Sequence, residues 1–187
     1  MIKAGAIEKG QCLLMKDQPY LVTERDFVNP GKGSAFVKLK LKNLRTGATL
    51  RETLKTADSV ETADVFDKDA QFLYEDDAGY HVMDSESYEQ YVIPKEGLEQ
   101  KGRFMREGET YRIKMWEQTA IDIVLPMKMA FVVTEAEDAI KGDTVTGATK
   151  TVVIETGISV RVPIFIKEGE KILVNTETAE YVERVND

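Results

Sequence analysis

The chain has 187 residues, of which 42% are hydrophobic, a content typical of a folded globular protein rather than a disordered one. No apolar run approaches the roughly 20 residues of a membrane span, the N-terminus has no secretory hydrophobic segment, and the single cysteine cannot form an internal disulfide. These features predict a cytoplasmic protein that does not bind membranes and has between one and three domains.

The net charge of −8 is distributed unevenly. Residues 1–63 carry 11 Lys and Arg against 7 Asp and Glu, whereas residues 64–126 carry 7 against 15 and residues 127–187 carry 7 against 11. Local potential governs contact with nucleic-acid phosphates more than total charge does. Any contact with RNA is therefore expected mainly through the N-terminal third.

The N-terminal third predicts short strands joined by tight turns. The predicted strands cover residues 11–15, 19–23, 35–41 and 49–54. From Val37 to Lys42, apolar residues alternate with lysines, so a strand here buries one face and presents three lysines on the other.

The second and third of these strands flank Asn29, Pro30, Gly31, Lys32 and Gly33. Pro30 has the fixed φ of the second position of a turn, and Gly31 is expected to take the positive φ that a type II turn requires next. Lys32 then lies between two residues without side chains, at the tip of a hairpin. The alternative is an ordinary solvated turn, because these are common turn residues.

Further basic residues follow this tip. The candidates for phosphate contacts are Lys38, Lys40, Lys42, Arg45 and Arg51. An alternative for the three lysines is a solvent-facing edge strand that they protect against aggregation. The lysines lead directly out of the Lys32 tip, and this position favours the functional interpretation.

Residues 64–126 and 127–187 predict two more β domains. Each has about five strands in about 60 residues, which is typical of a small barrel or an OB-like domain. Their similar length and strand spacing suggest two copies of one fold. A loop is predicted over 142–147, and no long amphipathic helix is predicted, so the chain is expected to be mainly β.

Residues that bind metals or catalyse reactions are scarce. His81 is the one histidine and Cys12 the one cysteine, which excludes a zinc site of the usual kind. The sequence around Lys32 lacks the spacing of a nucleotide-binding P-loop, and the acidic residues of 64–77 favour a solvated face over a calcium loop. The sequence therefore predicts no enzyme, no metal and no bound cofactor.

Two motifs about 120 residues apart resemble those of the bacterial elongation factor P family: the P-G-K-G tip, and the sequence ETGISVRVPIFIKEGEKI over 155–172. The resemblance covers essentially the whole chain. It implies an N-terminal KOW- or SH3-like barrel over 1–63 and two OB-like barrels over 64–126 and 127–187. The three barrels are expected to form an L that copies the outline of tRNA.

The same resemblance implies a monomeric translation factor that binds both ribosomal subunits and ribosomal RNA beside the P-site peptidyl-tRNA. The resemblance further implies that such a factor promotes peptide-bond formation and relieves stalling at consecutive prolines. The functional lysine corresponds to Lys32, in a tip formed with Pro30, Gly31 and Gly33. In many members a modifying enzyme lengthens this lysine, for example by β-lysylation.

Near the C-terminus, Glu177 and Ala179 replace the Arg and Gly of the family's common R-T-G-E-Y-V sequence, while Tyr181 and Arg184 remain candidates for RNA contact. Two alternatives stay open. A paralogue of the same fold with another task is disfavoured by the lysine tip, and a general OB-type RNA-binding protein is disfavoured by the acidic second and third segments.

Overall fold

The computed structural model describes residues 1–137 and 147–185, in which β-strands dominate. The predicted mainly β fold of barrel-like domains is confirmed. The helical elements among the described residues are a short 3-10 helix, Ala4–Ala6, and a single helical turn, α1 (Glu99–Gly102). The loop predicted over 142–147 lies outside the described residues, apart from its last position.

Six antiparallel strands form the first sheet. They are β1 (Ile2–Lys3), β2 (Cys12–Met15), β3 (Gln18–Val28), β4 (Phe36–Asn43), β5 (Thr49–Lys55) and β6 (Ser59–Thr62). Their order across the sheet is β1-β6-β2-β3-β4-β5. The 3-10 helix after β1 contacts β4 and β5, and Gly5 N–H donates to Thr56 O at 3.1 Å, so the sheet curls back towards its own edge.

The alternation predicted for β4 is confirmed. Val37, Leu39 and Leu41 are buried in an aliphatic core, while Lys38 and Lys42 are exposed on the opposite face. Burial of one face fixes the register of the strand, because a shift by one residue would exchange the two faces.

Strand β3 is longer than the predicted run of 19–23. It continues to Val28 through Glu24, whose charge does not suggest a strand but which pairs with Lys40 of β4. Thr23 is an extra residue in this ladder, since Val22 lies opposite Leu41 and Glu24 opposite Lys40. Such a bulge increases the local twist of the hairpin.

Two five-stranded sheets follow. The second contains β7 (Val65–Asp76), β8 (Gly79–Asp84), β9 (Gln90–Ile93), β10 (Thr110–Trp116) and β11 (Thr119–Val124). The third contains β12 (Lys128–Ala136), β13 (Thr149–Ile154), β14 (Ser159–Pro163), β15 (Lys171–Asn175) and β16 (Tyr181–Arg184).

These two sheets have the same topology. In each, the first strand is central, the second and third strands lie on one side of it, and the fourth and fifth lie on the other. The first strand also has a register shift in both sheets, between Phe72 and Tyr74 and between Val133 and Glu135. The third and fifth strands contact each other in both, which closes each sheet towards a barrel. The suggestion of two copies of one fold is thus supported by strand order.

The chain divides into two compact units, each of which consists of two separate segments of the sequence. One unit contains residues 1–98 and 110–124, and the other contains 99–109 and 125–187. Residues 99–109 of the connection from β9 to β10 therefore belong to the second unit. There, Arg106 Nη1 donates to Ala130 O at 3.1 Å and contacts Glu155 at 2.9 Å. The domain limits predicted above, and the L-shaped arrangement, stay predictions.

A hairpin loop with the same hydrogen-bond pattern occurs in each of the three sheets. Its first residue is Asn43, Asp84 or Asn175, and the side-chain oxygen of this residue accepts the backbone N–H groups two and three positions later. The backbone N–H of the fifth residue also donates to the carbonyl of the first, at 2.8 to 3.0 Å. In the second sheet, Lys68 Nζ lies 2.6 Å from Asp84 and holds the pKa of this carboxyl well below its usual range.

The fifth residue of the loop has positive φ in each case. It is Gly47 (74°), Tyr88 (60°) and Ala179 (59°). The glycine adopts this conformation freely, whereas a side chain there is strained by about 1 kcal/mol or more. Glycine, which the resemblance noted above leads us to expect at position 179, therefore suits this conformation better than Ala179 does.

We predict that Ala179→Gly raises the free energy of unfolding by about 0.5–1 kcal/mol, because relief of the positive-φ strain exceeds the entropy that glycine adds to the unfolded chain. Urea denaturation followed by circular dichroism measures the change. The matched control is Thr178→Gly, at a neighbouring position without positive φ, which should lower stability. Equal effects of the two substitutions would contradict the argument.

Candidate functional site at the tip of the first sheet

Residues 29–35, here called the tip loop, connect β3 to β4. Lys32 is exposed, as are Gly31 and Gly33 on either side of it. A Cβ added at Gly31 would meet nothing within 4 Å, and one at Gly33 would meet only Pro30 Cγ at 3.9 Å. Lys32 is therefore an exposed lysine between two uncrowded residues without side chains, as the sequence predicted.

The predicted turn type is wrong. Positive φ occurs at Gly33, with a value of 113°, and not at Gly31. The register of β3 against β4 leaves seven residues between the strands, so Pro30 and Gly31 do not form the two central positions of a tight type II turn. Among the described contacts, no backbone hydrogen bond closes the loop on itself.

The base of the tip loop is fixed by the neighbouring strand. Thr56 N–H donates to Ala35 O at 3.1 Å, and Lys55 of β5 lies opposite Phe36, the first residue of β4. Lys32 thus lies in a loop that has no described backbone hydrogen bond within itself and that is attached to a hydrogen-bonded hairpin. We call residues 24–28 of β3 and 36–40 of β4, which form this part of the hairpin, the arm.

The structure brings most of the predicted cations to one face, here called the lysine face. Lys38, Lys40 and Lys42 share this side of β4, and Arg51 lies directly opposite Lys40 on β5. Lys55 lies on the same side, opposite Phe36, and was missed by the sequence analysis. The alternation of β5, in which Leu50 and Leu54 face the core, is the signal that could have identified it.

Two carboxylates on the lysine face were also missed. Lys40 Nζ lies 2.7 Å from Glu24, and the hydrogen bond from this ammonium lowers the pKa of the Glu24 carboxyl. Asp26 lies opposite Lys38 in the ladder. Lys40 is therefore already paired within the chain, whereas Lys38 and Lys42 have no ion pair among the described contacts. The cations of this face differ in their availability to a phosphate.

Arg45 is not near the tip. Arg45 follows Asn43, the last residue of β4. Asn43 is seven residues from Phe36 at the tip end of the strand, a distance of about 23 Å in an extended strand. There it borders a cleft with Pro94 and Glu96 of the same compact unit. Its interpretation as a phosphate contact is thus independent of Lys32.

Tyr181 and Arg184 lie on β16, in the second compact unit. Arg184 Nη1 is 3.1 Å from Glu170 Oε1, and its guanidinium lies 5.9 Å from the ring centre of Phe165. The backbone N–H of Lys167 and then Arg184 lower the pKa of the Glu170 carboxyl. Tyr181 is partly buried opposite Val174.

Three family models match the chain in succession. They are the elongation factor P KOW-like domain over residues 3–60, the elongation factor P OB domain over 65–123, and the elongation factor P C-terminal domain over 129–184. Proteins named elongation factor P are similar over the full length. The one from Treponema denticola is 55% identical, with all of both chains aligned.

The chain belongs to the elongation factor P family. The resemblance noted from the two motifs is thereby confirmed, and the family is one of translation elongation factors. Relatives outside Treponema agree, since elongation factor P of Borrelia hermsii is 47% identical over 100% of this chain and 98% of its own. That of Magnetococcus marinus is 42% identical over 98% of both chains.

A solved structure also has a similar fold. Eukaryotic translation initiation factor 5A from Methanococcus jannaschii aligns with a TM-score of 0.54 and 18% identity, over 66% of this chain and 92% of that protein. At this identity the similarity concerns the fold alone.

Residues 1–137 and 147–185 lack two other kinds of feature, a membrane-spanning helix and a cluster of metal ligands. No helix there is long and apolar enough to cross a membrane. No three His, Cys, Asp or Glu side chains come together there as metal ligands.

We predict opposite effects for the two glycines of the tip. Gly33→Ala forces a side chain into a conformation with φ of 113° and should cost about 1–2 kcal/mol of unfolding free energy or displace the loop. Gly31→Ala meets neither obstacle and should be neutral or slightly stabilising.

Thermal unfolding and amide chemical shifts measure this difference. The resonances of Lys32 and Ser34 should move further in Gly33→Ala than in Gly31→Ala. Loop resonances displaced equally by both substitutions would show that the positive φ at Gly33 is not required.

Proposed function

We propose that this protein binds the ribosome beside the P-site peptidyl-tRNA and promotes peptide-bond formation, thereby relieving stalling at consecutive prolines. The observation that supports this proposal best is Lys32, an exposed cation between two glycines at the end of a hairpin. In a member of a translation elongation factor family, such a side chain suits contact with RNA in a narrow site.

The mechanism that we propose is positioning rather than chemical catalysis. Proline is a poor peptidyl donor and acceptor because its ring restricts the geometry of the reacting groups. Contacts from Lys32 to the backbone of the peptidyl-tRNA hold its end in a reactive orientation, which lowers the entropic part of the barrier. The protein acts as a monomer in the cytoplasm, without a catalytic residue, metal or cofactor of its own.

A covalent extension of Lys32 fits the same geometry. The absence of Cβ atoms on both neighbours gives a modifying enzyme access to the ammonium, and a group such as β-lysine lengthens the reach of the cation. We propose that Lys32 is the residue modified. Mass analysis of the Lys32 peptide from the native host identifies the added group.

The lysine face supplies the supporting contacts to tRNA and ribosomal RNA in this proposal. Phosphate contacts add affinity without reading sequence, and each releases counterions, so affinity falls with salt. Lys38 and Lys42 are the strongest candidates, because Lys40 is engaged with Glu24. Arg45, Arg51, Tyr181 and Arg184 are further candidates, of which Arg184 must share its charge with Glu170.

We predict that Lys32→Ala abolishes relief of stalling on a triple-proline reporter and leaves the melting temperature unchanged, since Lys32 has no partner among the described contacts. Lys16→Ala is a matched control, a lysine in another turn of the same sheet. Full relief by the Lys32→Ala protein would disprove the proposed mechanism.

We predict a ranking among the cations of the lysine face. Lys38→Ala and Lys42→Ala should each weaken ribosome binding and reduce the slope of log affinity against log salt by about 0.7–0.9. Lys40→Ala should have a smaller effect, and Glu24→Gln should strengthen binding by freeing Lys40. Filter binding at several salt concentrations measures these slopes, and equal slopes for Lys40→Ala and Lys42→Ala would refute the ranking.

A further inference from the structure

Two aromatic side chains lie beside the tip loop, on opposite faces of the arm. Phe27 is the last but one residue of β3 and faces the same way as Val37, its partner in the ladder. Phe36 begins β4 and lies on the lysine face, opposite Val28. Val37 is fully buried, whereas Phe27 is 48% exposed. Among the described residues, neither aromatic ring belongs to the aliphatic core of the first sheet or packs against it.

Each of these rings has a cation beside it. The guanidinium carbon of Arg25 lies 5.7 Å from the ring centre of Phe27, and Lys38 Nζ lies 6.0 Å from that of Phe36. Arg25 Nη2 also donates to Gly5 O at 3.0 Å, so its guanidinium is held in place next to the ring. Such an arrangement is preorganised for a ligand that has both a flat face and a negative charge.

The two faces differ in their acidic residues. Asp26 lies opposite Lys38 and so adjoins the Phe36 pair, and Glu24 is on the same side. On the side of Phe27, the ladder positions of the arm are occupied by Arg25, Val37 and Leu39, without a carboxylate, and Glu52 lies outside the arm on β5, opposite Leu39. Within the arm, the cation beside Phe27 therefore has no carboxylate on its own face, whereas the cation beside Phe36 lies opposite Asp26.

We propose that Phe27, with Arg25 beside it, is a stacking platform for one unpaired RNA base. An unpaired base offers a flat face to the ring, and its phosphate offers a charge to the guanidinium. This inference rests on the proposed function, which brings the tip loop to single-stranded nucleotides. It adds a positioning residue that is separate from Lys32 and that acts on the base rather than the backbone.

Substitutions that separate stacking from packing provide the test. Phe27→Leu keeps an apolar side chain and removes the aromatic face, and should weaken binding of the full-length protein to ribosomes with P-site tRNA by roughly fivefold to a hundredfold. Phe27→Trp should retain binding, because it keeps a stacking surface. Phe66→Leu, at a similarly exposed phenylalanine of the second sheet, is the matched control and should change affinity less than twofold. The melting temperature of each variant shows whether it is folded.

A fluorescence experiment identifies the ligand. Phe27→Trp in a Trp116→Phe background has its one tryptophan at the platform, and stacking of a base should quench its emission on complex formation. A photo-crosslinker at position 27 should then attach to RNA. Unchanged emission, a crosslink to a ribosomal protein alone, or wild-type affinity of Phe27→Leu would each overturn the inference.

The outcomes distinguish this inference from the proposed function. If wild-type protein binds, Lys32→Ala abolishes relief of stalling and Phe27→Leu behaves as wild type, only the platform is refuted. If the wild-type protein does not bind ribosomes, both are refuted. Loss of binding in Phe27→Leu, together with quenching and an RNA crosslink, supports both.

Discussion

The position of the tip depends on the burial of Val37, Leu39 and Leu41. A shift of β4 by one residue would expose these three side chains, at about 1.5–3 kcal/mol each, and would turn three lysines into the core. The core therefore fixes the register of β4, and β3 follows through their shared ladder. Among the described contacts, the tip loop has no backbone hydrogen bond within itself, so the position of Lys32 depends on the apolar packing of the strands that carry the loop.

This dependence also explains what could be predicted from sequence. The alternation in β4, the strand-rich segments and the exposed lysine followed from local patterns, because each depends on side chains close together in the chain. The extension of β3 to Val28 could not be predicted, because Glu24 is held in the sheet by its partner Lys40. The same holds for the turn, since the strand register decides how many residues the loop has and hence which glycine takes positive φ.

The interpretation of charge was incomplete for a related reason. Counting cations along the sequence correctly located a basic segment, but Lys40 and Arg184 each have a carboxylate partner from another strand or turn. Lys40 is 16 residues from its partner along the chain, and Arg184 is 14 residues from its partner. At these separations no local sequence pattern indicates which residues pair. Lys32 differs from them because its isolation results from adjacent residues, and this is why its exposure could be predicted while the availability of the other cations could not.

In the hairpin loop that recurs in the three sheets, the backbone conformation does not depend on the charge of one exposed side chain. The third residue of the loop contributes only a backbone N–H to it, and that residue is Arg45 in the first sheet but Glu86 and Glu177 in the other two, exposed in each case. One backbone geometry thus presents a cation on the basic barrel and an anion on each acidic barrel. Reversal of the charge at this position therefore changes the surface potential of a barrel while the hydrogen bonds of the loop stay the same.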